Sequence, residues 1–363
     1  IAIWSDRGNR RNLIAIALSV WSIMTALSGL AQNFWHLALA RIGVAIGEAG
    51  GSPPSHSLIS DYYPPRKRAT ALGIYALGIP FGIMFGLFLG GWINEAFGWR
   101  KAFFIVGIPG IILALVVRFT ITEPERGSSE NKQDQEDNKP SVKETFHYLL
   151  SKPAFVQISI ANSLAAFVGY GVITWYPAFL IRSHGLGTAE IGLWLGLIIG
   201  LVGGAGMYLG GFLSDKFGSR DTKWYLWTPG VILVATVPFG IAGYIAENLV
   251  LVLMWFAPTI LAGNFWQATS FAQVQTMAQL RMRSMASAIL LFLINIIGLG
   301  FGPWAVGILS DVLQPIYGKD SLRWSLCFFS LLNIWAGYHF YRAGLRLAED
   351  KTLFETIQDE KPG

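Results

Sequence analysis

Ser5-Asp6-Arg7-Gly8-Asn9-Arg10-Arg11 recurs 209 residues further on as Ser214-Asp215-Lys216-Phe217-Gly218-Ser219-Arg220. Two further echoes keep the same order. Arg66-Lys67-Arg68-Ala69-Thr70-Ala71 parallels Arg281-Met282-Arg283-Ser284-Met285-Ala286, and Trp99 with Phe103-Phe104 parallels Trp324 with Phe328-Phe329. The offset drifts from 209 to about 225, as it does when loops change length and the repeated elements do not. The chain therefore reads as two parallel halves of one repeated unit.

What lies between the repeated loops decides what the unit is. Only 13% of the 363 residues are Asp, Glu, Lys or Arg, against about 25% in an ordinary soluble domain, and 53% are hydrophobic. Apolar runs fall at about 12–31, 35–60, 69–97, 101–122, 153–181, 189–213, 224–246, 249–277, 284–310 and 324–345, each near the length of about 20 residues that a bilayer crossing needs. An all-α membrane protein with ten spans is predicted. Forty-one Gly and 16 Pro suit closely packed and locally broken membrane helices.

The net charge of +5 reports topology rather than a nucleic-acid partner. Of 27 basic residues, twenty lie in alternate connections and five in the other set, with Arg41 and Arg118 inside spans. That bias predicts the first set of connections, and the C-terminus, on the cytoplasmic side. The single Cys327 can form no intramolecular disulfide.

The longest connection has no large aliphatic residue from Glu123 to Pro140, so it reads as a mobile linker. Phe146, Tyr148, Leu149 and Leu150 then mark a short interfacial helix. The expected organisation is an N-terminal half over 1–122, a linker over 123–152, a C-terminal half over 153–348 and a tail over 349–363. Four spans precede the linker and six follow it. The second half takes 62 residues to reach Asp215 and the first only five to reach Asp6. The repeat thus implies two six-helix halves of which the first lacks its opening pair, about 57 residues, so ten spans stand of an expected twelve.

These loops resemble the signature of the major facilitator superfamily. Gly211, Asp215, Lys216, Gly218 and Arg220 match its cytoplasmic loop in the second half, and Asp6, Arg7, Arg10 and Arg11 do so in the first, where Ala2 and Asn9 replace glycines. Gly78-Ile79-Pro80-Phe81-Gly82 with Gly86, Gly90 and Gly91 looks like its fifth-helix motif. Within 41–91, Arg41-Ile42-Gly43-Val44-Ala45-Ile46-Gly47-Glu48-Ala49-Gly50, Ile59-Ser60-Asp61-Tyr62-Tyr63-Pro64-Pro65-Arg66 and Ile74-Tyr75-Ala76-Leu77-Gly78-Ile79-Pro80 resemble the spinster family of lysolipid and sphingolipid transporters. Organic-anion and sugar-acid symporters share the Arg-x-x-x-Gly-x-x-Glu-Ala core. The resemblance implies the major facilitator fold, and it implies gating by Asp6, Arg7, Arg10, Arg11, Asp215, Lys216 and Arg220. It further implies an acidic first-helix partner for Arg41.

Arg41 and Glu48 stand two turns apart and so project from one helix face. A charge at the bilayer centre costs about 2.5–3.5 kcal/mol on insertion scales, so a cavity or a partner helix is expected beside them. Substrate or coupling contact is one reading and a structural ion pair the other. The span 249–277 is polar but uncharged. Asn264, Gln267 and Phe271 share one of its faces and Trp266, Ser270 and Gln273 another, at least one of which is expected to be wet. Tyr170, with Trp175 and Tyr176, is a candidate pocket lining, although aromatic residues near span ends also form interfacial belts. Gly78, Gly82, Gly86 and Gly90 form a small-residue stripe expected to pack against another helix, with Pro80 as a hinge.

No nucleophile–base pair, metal-ligand spacing or ATP-binding loop is present in the sequence. The expectation is not an enzyme but a secondary active transporter that moves an amphipathic, lipid-like substrate by alternating access. It would be a monomer needing no cofactor beyond a coupling proton, set among membrane lipids in a bacterial inner membrane, with no nucleic-acid partner. A sugar-acid symporter, an uncoupled lipid scramblase and a transporter-like receptor are the alternatives.

Overall fold

The computed structural model describes residues 9–63, 71, 74, 75, 78–124, 141–279 and 282–359. Asp6, Arg7, the loop Arg66-Lys67-Arg68 and the linker over 125–140 lie outside them. Every regular element among the described residues is helical, and the chain separates into two units.

The first unit comprises residues 1–135 together with 187–193. Its centre is α1 (Arg10–Ser28), capped by the Asn9 side chain, which accepts from the Asn12 N–H at 2.9 Å. Helix α2 (Phe34–Glu48) lies along one side of α1 and α5 (Trp99–Thr120) along another. Small residues set both approaches. A Cβ at Gly47 would sit 2.7 Å from the Trp21 backbone, and one at Gly107 would sit 2.8 Å from the Ser22 carbonyl oxygen.

The apolar run at 35–60 is divided. Helix α2 stops at Glu48 and α3 (Ser52–Tyr62) restarts after Gly50-Gly51, with Pro53-Pro54 in the first turn, where a missing N–H costs nothing. Each piece is shorter than a full crossing. Helix α4 (Gly78–Phe97) runs unbroken into the turn at Gly98, whose φ of 81° opens α5.

The glycine stripe departs from expectation. A Cβ at Gly78, Gly82, Gly86 or Gly90 would meet nothing within 4 Å among the described residues. The close approach on α4 is made by Gly91, where a Cβ would lie 2.3 Å from the Thr188 carbonyl oxygen. There the Asn94 amide donates to Thr188 Oγ1 at 3.1 Å, and Glu95 accepts from the Ala189 backbone N–H at 2.8 Å. The packing face is thus one residue, about 100° of helix, away from the face that the four-residue period picks out.

The second unit comprises residues 136–186 and 194–363. It begins with α6 (Val142–Leu150), capped by Ser141, which buries Thr145 and Leu149 and is fastened by the Tyr148 hydroxyl donating to the Met277 carbonyl at 3.2 Å. Then come α7 (Pro153–His184), closed by Gly185 at φ 70°, and α8 (Thr188–Leu197), which belongs to this unit from Trp194 on and passes through a π turn into α9 (Gly203–Gly218). After α10 (Trp224–Ala235) and α11 (Val237–Ile245), the run at 249–277 divides into α12 (Leu249–Gly263) and α13 (Trp266–Met277). Helix α14 (Arg283–Ile294) continues through a second π turn into α15 (Gly302–Tyr317). Gly318, at φ 55°, reverses the chain into α16 (Ser321–Ser330) and α17 (Leu332–Asp359).

Among the described residues, eight helical segments are long and apolar enough to cross a membrane. The last, Met285–Leu347, folds back at Gly318 and holds two of the predicted runs, and the divided run at 35–60 completes the ten.

Candidate functional site

The signature loop becomes a buried charge cluster in the first unit. Arg10 opens α1, is 1% exposed and meets groups from the ends of two other helices. Its Nε donates to Glu123 Oε1 at 2.8 Å, Nη1 donates to Ser57 Oγ at 2.9 Å and pairs with Asp61, and Nη2 donates to the Pro124 carbonyl at 3.1 Å. The Arg11 backbone N–H donates to the other Glu123 oxygen at 2.9 Å, and its guanidinium donates to the Ile121 carbonyl at 3.3 Å. Tyr62 on α3 bonds Thr122 alongside. A guanidinium suits this position because its planar fork serves two carboxylates at once.

Burial alone would raise the Glu123 carboxyl, but the hydrogen bonds from Arg11 and Arg10 outweigh it and hold the group below the usual carboxylate range. The cluster ties together the start of α1, the end of α3 and the segment after α5. Glu123 and Pro124, read from the sequence as the first linker residues, are therefore part of the first unit's packing.

Asp61, Glu123 and Ser57 were not legible as partners of Arg10. The available signal was two acids at the ends of separate spans, on the same membrane face as the three arginines.

The second copy of the loop is built differently. Asp215, Lys216 and Arg220 are exposed at the end of α9, with no ion pair among the described residues. Ser219 stands at the repeat position of Arg10 and donates only to the Lys216 carbonyl at 3.0 Å. Gly218 lies against the Tyr225 ring, where a Cβ would come within 2.5 Å.

Arg41 and Glu48 are both exposed on α2. The reason is geometric. Ala40, Gly43, Val44 and Gly47 form the face turned to α1, and Arg41, Ala45 and Glu48 form a stripe outside it. No hydrogen bond or ion pair engages either charge among the described residues of the first unit.

The candidates in the second unit are more enclosed. Asn264 ends α12, with its amide donating back to the Ile260 carbonyl at 2.9 Å. Gln267 is half-buried, and Phe271 is half-buried against the hydrophobic core. The face with Trp266, Ser270 and Gln273 is buried, so of the two faces it is the one turned away from bulk solvent. Tyr170 is half-buried against the same core. Tyr176 is not interfacial, since it is 1% exposed and stacks on Phe256 with centroids 3.7 Å apart, beside Phe179 and Tyr244. Trp175 donates its indole N–H to the Pro303 carbonyl at 2.7 Å.

Comparison with known proteins meets this geometry. Residues 1–338 match the family model described as Major Facilitator Superfamily. The chain is 31% identical over 322 residues to an MFS-type efflux pump of Mycolicibacterium smegmatis, covering 89% of this chain and 74% of that protein. It is 25% identical over 337 residues to the hexuronate transporter of Bacillus subtilis, covering 91% and 79%. The crystal structure of a bacterial homolog to the human lysosomal transporter Spinster, inward-facing and unoccupied, superimposes with a TM-score of 0.86 at 31% identity, covering 96% of this chain and 86% of that one. The spinster resemblance of 41–91 thus extends along the chain. This all-helical integral membrane protein belongs to the major facilitator superfamily of transporters and resembles its spinster members.

Proposed function

We propose that this transporter moves an amphipathic, lipid-like solute, of the lysophospholipid or sphingoid class, by alternating access with proton coupling. The observation that carries the reading is the stripe formed by Arg41 and Glu48. It places a cation and an acid two turns apart, both exposed and unpaired among the described residues, on a helix otherwise apolar but for His36 in its first turn. A guanidinium so placed can take the phosphate of an amphipathic lipid bidentately, while the surrounding apolar surface accepts the chain. Glu48, the acid on the same face, is the group offered for proton coupling. Similarity to a bacterial Spinster homolog supports the lipid class.

A second reading, sugar-acid symport, is favoured by the similarity to the hexuronate transporter. Arg41 would then hold a carboxylate and the apolar surface would be idle. On either reading the Arg10 cluster is a gating lock of the first unit. The basic-residue bias supports a cytoplasmic C-terminus, and similarity to bacterial transporters supports a bacterial inner membrane.

Competition binding to the purified protein tests the proposal, with lysophospholipids, sphingoid phosphates and sugar acids as competitors. Lysophospholipid or sphingoid phosphate is expected to compete best, and Arg41→Ala to weaken it by about 1.5–3 kcal/mol, the range for a charge-assisted hydrogen bond. Stronger competition by sugar acids would move the assignment to the second reading.

A further inference from the structure

Helices α7 and α13 meet, and each carries buried polar groups that lack partners. Ser159, Asn162 and Ser163 share one face of α7, and Trp266, Thr269, Ser270 and Gln273 share one face of α13, all buried. One direct hydrogen bond joins them, from Ser270 Oγ to Asn162 Oδ1 at 2.9 Å. Ser159 Oγ, Asn162 Nδ2, Ser163 Oγ, Trp266 Nε1 and Thr269 Oγ1 have none. These are five of the twelve such buried atoms among the described residues, and the others are scattered over several elements.

Other helices of this chain show how such groups are normally satisfied. The hydroxyls of Thr228, Thr259, Thr276 and Ser330 each donate to the carbonyl four residues earlier, at 2.7–3.0 Å. The indoles of Trp175 and Trp227 each find a carbonyl. Ser159, Ser163, Thr269 and Trp266 do neither.

We propose that this α7–α13 seam is a binding site for buried water. The chemistry selects the ligand. Trp266 Nε1 and Asn162 Nδ2 can only donate, so the occupant must accept, whereas the three hydroxyls can donate or accept. An apolar occupant would leave the donors unmet. A charged one would find no counter-charge on either face. Water is small, neutral and amphiprotic, and at about three hydrogen bonds each a few molecules along the two helices satisfy the five atoms. Helix α13 is then tied to α7 by one direct bond and by exchangeable bridges, so it can shift along α7 without stranding polar groups. The inference does not depend on the identity of the transported solute.

X-ray radiolytic footprinting of the intact protein in nanodiscs tests it, because bound water yields hydroxyl radicals in place. Trp266 is expected to be labelled on the order of tenfold above Phe155, another buried ring of the same apolar core, because only Trp266 would donate to bound water. Radicals generated only in bulk solvent should leave Trp266 unlabelled. Asn162→Leu with Ser270→Ala should bring the in-place labelling down to that of Phe155. If this pair does not fold, Ser163→Ala with Thr269→Val should lower it severalfold. Labelling of Trp266 no higher than that of Phe155, labelling by bulk radicals, or labelling indifferent to the variants would each overturn the proposal.

Discussion

Arg10 and Arg41 are both arginines in helices of the first unit, yet their surroundings assign them opposite tasks. Arg10 is enclosed and uses its fork on Glu123, Ser57, Asp61 and the Pro124 carbonyl. Removing one partner of such a buried pair strands the others, so Arg10→Ala should lower stability by about 3–5 kcal/mol, read as a fall in thermal midpoint in detergent. Arg41 is exposed without a partner among the described residues, and Arg41→Ala should leave the midpoint within about 0.5 kcal/mol of wild type, as other surface substitutions do.

The cluster also carries a pH signature. Glu123 is held below its ordinary value near 4.5, so its contribution is complete above that value and is lost as pH falls through the lower folded value. Thermal midpoints should be flat above about pH 5 and should drop below about pH 4. Glu123→Gln should start lower and lose that acid limb. A variant that kept the full limb would place the titrating group elsewhere.

At the scale of elements, the glycines separate helices that touch from helices that do not. A Cβ at Gly206 would lie 1.9 Å from the Leu261 carbonyl oxygen, and one at Gly210 would lie 2.5 Å from the Phe265 Cα. Both obstacles are backbone. Gly206→Ala must therefore move α9 away from α12 and should cost about 1–3 kcal/mol or more in chemical or thermal unfolding. Gly211, one residue on, has only the Ala268 methyl at 3.9 Å, so Gly211→Ala should be close to neutral by the same measurement.

These elements also show what the residues alone disclose. Helix positions followed from apolar runs of bilayer length, because that constraint is local. The division of α2 from α3 was equally local, written in Gly50-Gly51 and Pro53-Pro54, and the hydropathy window passed over it. Which glycine faces a neighbour is not local. The four-residue period that joins Gly78 to Gly90 is the same whether or not a helix lies beside it, and one residue decides that Gly91 is the point of contact. The partners of Arg10 were hidden for a related reason, since Asp61 and Glu123 are 51 and 113 residues away and only the fold brings them near.

For the molecule as a whole, repeated sequence does not bring repeated chemistry. Among the described residues, the first copy of the signature loop opens α1 and closes a buried ion cluster around Arg10, whereas the second lies at the end of α9 and presents exposed charges with Ser219 in that position. Divergence between the copies leaves one half with a buried ion cluster and the other, among the described residues, without its equivalent. The candidate solute groups divide in the same manner. The first unit offers the charges Arg41 and Glu48, and the second offers the neutral Asn264 and Gln267 beside Phe271 and Tyr170.

Flux in proteoliposomes tests the central claim most directly. Lysophospholipid transport would be followed with an imposed pH gradient for wild type, Arg41→Ala and Glu48→Gln. The account predicts transport that rises with the proton gradient in the wild type, is lost in Arg41→Ala, and persists without gradient dependence in Glu48→Gln. A wild-type rate that is flat across about pH 5–8 and the same in all three proteins would contradict it.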